Sequence, residues 1–173
     1  MLVALLILIF PFAMIYAAMS DLVSMTIANR VSVALVVAFP IAALLVGLPA
    51  GVIGAHFAVA FACLTVTFGM FAAGWMGGGD AKLLAATALW FGPTPALVEY
   101  MLFGAVFGGI LTLAILLSRA MLAPVTGIVF VDRLLAPETG IPYGIALGAA
   151  GLAVFSGSVW MDHAVANLSM AAF

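Results

Sequence analysis

Long apolar blocks make up most of this chain, separated by short interruptions where glycine, proline and the few charges collect. A helix that crosses a bilayer needs about 20 mostly apolar residues. Residues 2–19 form one such block, with Pro11 as an expected kink, and residues 31–47 form a second. Residues 52–73 form a third, and residues 81–91 a short fourth that Gly-Pro-Thr-Pro stops. Residues 96–117 and 141–160 are the fifth and sixth. The remaining gap, residues 118–140, is itself half apolar and is expected to lie along the membrane surface. The pattern predicts an all-α polytopic membrane protein of six transmembrane helices with a short fourth helix, organised as one domain over residues 1–173.

Composition agrees. The 173 residues are 68% hydrophobic and 6% charged, whereas soluble domains carry about a quarter charged residues. The lipid bilayer is therefore the expected solvent. Four Lys/Arg against six Asp/Glu leave a net charge of −2, which excludes a phosphate track and with it nucleic acid as a partner. Cys63 is the only cysteine, so an intrachain disulfide and a CxxC zinc site are both excluded, and neither a metal nor a cofactor is expected. The first block has the apolar run and small residues of a signal peptide but lacks the positive flank, and it reads as a retained first helix.

The cations set the orientation. Arg30 follows the first block, Lys82 lies between the third and fourth, and Arg119 and Arg133 lie between the fifth and sixth. With six crossings all four fall on one side, which the positive-inside rule makes the cytoplasm, with both termini outside. Glu99, Asp162, His56 and His163 belong to the outer side, as interfacial residues near helix ends.

Two carboxylates stand apart from that distribution. Asp21 closes the first helix on the cytoplasmic side, and Asp80 opens the fourth on the same side, behind the run Gly77, Gly78 and Gly79. An ionisable residue at apolar depth is costly and marks a candidate functional position. Two carboxylates in one low-dielectric pocket share a proton, so that one can take a proton from water while the other polarises a carbonyl. That is aspartic-protease chemistry, and it requires no metal. Asp80 has a blander reading as a helix N-cap, and Asp21 as an interfacial aspartate. The three glycines are expected to give the backbone turn freedom and to let substrate approach. Their spacing fits neither a phosphate-binding loop nor a dinucleotide fingerprint. Lys82, two positions from Asp80, points to another helix face and reads as a cytoplasmic anchor. A proton-coupled transporter that uses the aspartates as a relay is the alternative, and a non-enzymatic assembly factor a further one.

The motifs resemble a known family. "SDLVSMTIANR" (residues 20–30) is similar to the first aspartate motif of the type IV prepilin peptidases, "GWMGGGDAKLL" (residues 74–84) to their GxGD signature, and "IPYGIALGAAG" (residues 141–151) to the segment that opens their last helix. The resemblance implies Asp21 and Asp80 as catalytic aspartates. Gly77, Gly78, Gly79, Lys82, Asn29, Pro142, Tyr143 and Gly144 are implied as site-shaping or substrate-binding residues. It also implies prepilin or pseudopilin substrates, cut on the cytoplasmic side of the bacterial inner membrane, and a pilus or secretion machinery as partner. The small size resembles the short form found in tight-adherence (Flp) pilus systems. The cysteine-rich segment of the larger, methylating members is absent, so the resemblance extends to peptidase activity and not to methylation. Val23 stands where many members carry a basic residue, and Ala28 replaces the usual proline before Asn29, which is itself expected to cap the second helix. Gly104 to Gly108 and Gly144 to Gly148 have the G-x-x-x-G spacing of close helix contacts.

Overall fold

Eight helices follow one another among the described residues, with no strand: α1 (Leu2–Ser24), α2 (Asn29–Leu45), α3 (Ala50–Ala72), α4 (Gly78–Phe91), α5 (Pro95–Met121), α6 (Val129–Leu135), α7 (Tyr143–Phe155) and α8 (Val159–Ala171). The computed structural model describes the backbone of residues 2–171 and the side chains of residues 5–169. Three helices are long and apolar enough to cross a membrane alone: α1, α3 and α5. The pair α7 and α8 is long and apolar enough only when taken together, and it is bent by 57° at its break, so the described residues hold three to four candidate spans. The expected six are thus not all long enough, since α2 has 17 residues and α4 only 14.

The sixth block is also not one helix. It breaks after Phe155, where Ser156 and Ser158 turn their hydroxyls onto the carbonyls of Ala153 and Phe155, each at 2.7 Å. The Ser158 amide donates to the Phe155 carbonyl as well, at 3.1 Å, so the turn closes on the end of α7. Beyond it, α8 returns to pack on α1.

Residues 118–140 hold a short helix, α6, joined to the ends of α5 and α1. Arg119 donates to the carbonyls of Leu134 (2.7 Å), Thr139 (2.8 Å) and Gly140 (3.1 Å), and Arg133 donates to the Val23 carbonyl at 2.8 Å. Asp132 accepts from the Thr126 amide and hydroxyl and from the Gly127 amide, and these bonds hold its carboxyl below the usual range.

The short α4 is the centre of the bundle. It packs against α2, α3, α5 and α7, and from Leu83 to Phe91 every residue except Leu84 is buried. At about 1.5 Å per residue it is roughly 21 Å long, against a hydrocarbon core of about 30 Å, so protein must cover an end that water does not reach. The last four carbonyls of a helix have no partner within it, and here each has a donor. Ala88 O accepts from Gly92 N (2.8 Å), Leu89 O bonds His56 Nδ1 (2.7 Å), Trp90 O accepts from Trp160 Nε1 (2.7 Å), and Phe91 O accepts from Thr94 Oγ1 (2.8 Å). His56 is therefore a buried ligand of the α4 terminus and not the interfacial residue expected. Gly92 has φ +60, and its α-carbon lies so close to the His56 ring that a β-carbon would overlap it.

Around that end sit Phe10, Phe39, Phe155, Trp90 and Trp160, all fully buried or nearly so. Phe10 stacks on Phe155 at 4.2 Å, and Trp90 meets Trp160 edge-on at 5.1 Å. Small residues bring the helices together elsewhere. A β-carbon on Gly148 would come 2.8 Å from Met14 O in α1, and Gly108 faces the Tyr143 ring across α5 and α7. Both G-x-x-x-G spacings are thus helix contacts.

A test of the α4 terminus is His56→Phe, which keeps the ring stacked on Phe39 (5.1 Å) but removes the donor to Leu89 O. It should lower stability by about 1–3 kcal/mol, the cost of an unpaired buried acceptor, in thermal unfolding of the detergent-solubilised protein. His163→Phe, at the same end but only partly buried, should leave the midpoint nearly unchanged.

Candidate active site

At the opposite end of α4 the three glycines each have a separate reason. Gly77 is the N-cap residue, with φ −68 and ψ 142, and no side chain caps the helix. Asp80 is the third helical residue, so the N-cap reading of Asp80 does not hold. Its carboxylate curls back over Gly77, where a β-carbon would lie 2.8 Å from Oδ2. Gly78 lies against the Phe71 ring (3.2 Å to a β-carbon) and Gly79 against Ile27 (3.1 Å). None of the three has positive φ; in this stretch only Gly74 does, at +75. Turn freedom is therefore not what the triplet supplies. It supplies room, and the protein's own side chains fill much of it.

Asp21 lies one turn before the end of α1 and is buried. Its Oδ2 accepts from the Gly144 amide at 2.7 Å. That amide is one of the free donors in the first turn of α7, which follows Pro142 as N-cap. A β-carbon on Gly144 would meet the same Oδ2 at 2.9 Å and Ile27 Cδ1 at 2.8 Å. Ile27 is thus a wedge between Gly79 and Gly144, and it joins the α1–α2 loop to the starts of α4 and α7. The loop itself is tied by Ser20 Oγ donating to Thr26 O (2.7 Å) and by a left-handed Met25, φ 55.

These contacts bring Asp21, Asp80, Gly77, Gly78 and Gly79 around one cavity of about 290 Å³, completed by Met25, Thr26 and Ile27. The positive end of the α4 dipole faces it, a favourable setting for negative charge. Asp80 and Gly77 also line a second, larger cavity of about 530 Å³ that runs between α3, α5 and α7. Tyr143 lines this one and donates to Gly104 O at 3.1 Å.

Four expected site residues, Lys82, Asn29, Pro142 and Gly144, stand outside both cavities. Lys82 is exposed, and its Nζ donates to Asn29 Oδ1 at 3.1 Å. Asn29 is the first residue of α2, whose N-cap is Ala28, so Asn29 links α2 to α4 instead of capping its own helix. Pro142 is buried as the α7 N-cap and lines neither cavity.

The model of the type IV leader peptidase family matches residues 8–130. The chain belongs to that family. No curated protein and no solved structure matches it. As a leader peptidase it is a protease for prepilin-type substrates, carried on several apolar helices. The matched stretch includes both aspartates and the glycine triplet but stops before α7. The Gly144 amide that holds Asp21 therefore comes from a segment beyond the family match.

Ile27 of the first cavity and Tyr100 in the wall of the second carry no mark of a site in the residue pattern. Ile27 was visible in the first motif, but its role depends on two distant glycines meeting it. Tyr100 lies within an apolar block with no motif to mark it.

Gly77→Ala tests the packing of the Asp80 carboxylate. The new methyl displaces that carboxylate, so leader removal should fall by at least about tenfold. The unfolding midpoint should change little, because the displaced group borders a cavity. Gly109→Ala, where a β-carbon meets nothing within 4 Å, is the control.

Proposed function

We propose that Asp21 and Asp80 are the catalytic pair of an aspartic endopeptidase that removes the short cytoplasmic leader from prepilins or pseudopilins. The supporting observation is that two carboxylates far apart in sequence line one cavity at one end of the bundle. One carboxylate takes a proton from water as the oxygen attacks the scissile carbonyl carbon. The protonated partner hydrogen-bonds the carbonyl oxygen. The tetrahedral intermediate then collapses with cleavage of the C–N bond, and the departing amine takes up the proton. A coupled pair titrates as a unit, so the roles belong to the dyad. Gly77, Gly78 and Gly79 shape the cavity floor, and Gly144 orients Asp21. Lys82 and Asn29 hold α4 to α2 beside it.

All four Lys/Arg cluster at this end. Lys82 bonds Asn29 beside Arg30, Arg133 bonds Val23 O, and Arg119 bonds the segment leading into α7. This distribution supports a cytoplasmic site in the bacterial inner membrane, with six crossings in which α2 and the embedded α4 count as two.

Asn can still accept the Gly144 hydrogen bond but cannot take up a proton. Asp21→Asn and Asp80→Asn should each reduce cleavage of a co-expressed prepilin by about 10²–10⁴-fold while leaving the protein folded. Full cleavage by either variant sinks the dyad. Were Asp21 only a cap for α7, Asp21→Asn would remain active.

Orientation is tested in a Cys63→Ala background with single cysteines at Thr26, Glu138 and Ala50, all exposed. A membrane-impermeant thiol reagent applied to intact cells should label the cysteine at position 50 and spare those at 26 and 138. The reverse pattern overturns the orientation.

A further inference from the structure

The bond between the Gly144 amide and Asp21 Oδ2 is one link in a closed ring of hydrogen bonds. Arg133 of α6 donates at 2.8 Å to the carbonyl of Val23, two residues beyond Asp21 in the last turn of α1. The next residue of α6, Leu134, offers its carbonyl to Arg119 Nε in the last turn of α5, at 2.7 Å. The same guanidinium reaches on to Thr139 O (2.8 Å) and Gly140 O (3.1 Å), and three residues after Gly140 the chain enters α7 at Tyr143. Gly144 then returns to Asp21 at 2.7 Å. The ring joins the ends of α1 and α5 to α6 and to the start of α7. Each non-covalent link in it is made by one of two arginines or by the Asp21 carboxyl.

The acceptors do not require arginine for their own sake. Val23 and Gly140 are exposed, where water serves a carbonyl nearly as well. Asp132, the neighbour of Arg133, is committed to Thr126 and the Gly127 amide, and the hydrogen bonds of both arginines go to backbone carbonyls. What a guanidinium adds is geometry. Its planar fork fixes several acceptors at once, which neither water nor an ammonium does. Arg119 uses that fork to hold the end of α6 and the approach to α7 at set distances from α5.

The consequence falls on Asp21. Deeper in the bundle, close packing fixes α7 on α1, with Gly148 against Met14 O. The first turn of α7 lies one turn nearer the loop, and its Gly144 amide is the donor that sets the rotation of the Asp21 carboxyl. We propose that Arg119 and Arg133 are positioning residues for the reaction. Through α6 and the approach to α7 they keep the Gly144 amide on Asp21, and so fix the direction in which that carboxyl meets Asp80 and the scissile bond. Neither arginine touches the reacting atoms. This rests on the reading of Asp21 as one of the catalytic pair.

The test uses the full-length enzyme in vesicles and a full-length prepilin that the wild type cleaves, with each variant assayed below its own unfolding midpoint. Arg119→Ala should lower kcat by about tenfold or more, as expected for a displaced catalytic group, with KM within about twofold. Arg119→Lys keeps the charge, and with it the cytoplasmic anchor, but not the fork, and should recover only part of the loss. Arg133→Ala should lower kcat by about 3–10-fold. The double variant should be little worse than Arg119→Ala, because a ring already opened has little left to lose, whereas independent contacts would multiply the two losses. Arg30→Ala removes a cation of the same end that bonds Tyr16 outside the ring, and should keep wild-type kcat and KM. Wild-type kcat in Arg119→Ala, full recovery in Arg119→Lys, a loss confined to KM, or losses that multiply would each overturn the proposal. An equal kcat loss in Arg30→Ala assigns the effect to charge and overturns it as well. All of these leave the dyad standing while Asp21→Asn is inactive; an active Asp21→Asn removes the dyad itself, so the two failures are distinct.

Discussion

A helix that ends inside an apolar medium must find a donor for each carbonyl it leaves open, and this fold is organised around meeting that requirement for α4. The helix is too short to reach across the hydrocarbon, so its terminus cannot rely on water. Donors come from its own chain end, from α3, from α8 and from the turn into α5: Gly92, His56, Trp160 and Thr94. Two of the four are large side chains, and placing them assembles the aromatic cluster around Phe10, Phe39 and Phe155. The break between α7 and α8 is part of the same arrangement, because a straight continuation of α7 would not return Trp160 to Trp90. Shortness at one end of α4 thus explains structure far from the aspartates.

At the other end, the start of α4 opens onto the cavity that the two aspartates line. Three chain segments converge there, the α1–α2 loop, the α4 start and the α7 start, and each contributes a glycine or a small turn so that the others can approach. Asp21 is held through a backbone amide and Asp80 through van der Waals contact with its own N-cap residue. The two carboxylates are therefore constrained differently, Asp21 by a directional bond and Asp80 by shape alone. In the proposed dyad this asymmetry leaves Asp21 fixed and Asp80 able to adjust as substrate enters.

Much of this was legible in the residue pattern, and the remainder was not for definite reasons. The blocks that became α1, α3 and α5 are long enough to be identified by length alone, and Asp21 and Asp80 stand out because charge is so scarce. The glycine triplet is conspicuous, but the close contacts it permits with Phe71 and Ile27 are remote in sequence, whereas turn freedom, which its φ values do not use, is a local expectation. Asn29 has the residue type of a cap, but its side-chain oxygen accepts from Lys82 of α4 instead. His56 and Trp160 gave no signal as terminators of α4, because that role is defined by a helix end they do not belong to. The sixth block contained its break in plain view, Ser-Gly-Ser, but hydropathy averaged over a window passes across it.

The placement of the three tryptophans gives the molecule an optical property. Trp90 and Trp160 are sealed in the aromatic cluster at the closed end of α4, while Trp75 is 78% exposed at the mouth of the larger cavity. Emission from the enclosed pair reports the integrity of the bundle, and a quencher dissolved in water reaches Trp75 first. The native protein therefore carries separate fluorescent signals for its fold and for the entrance of its cavity, and both can be read without attaching a dye.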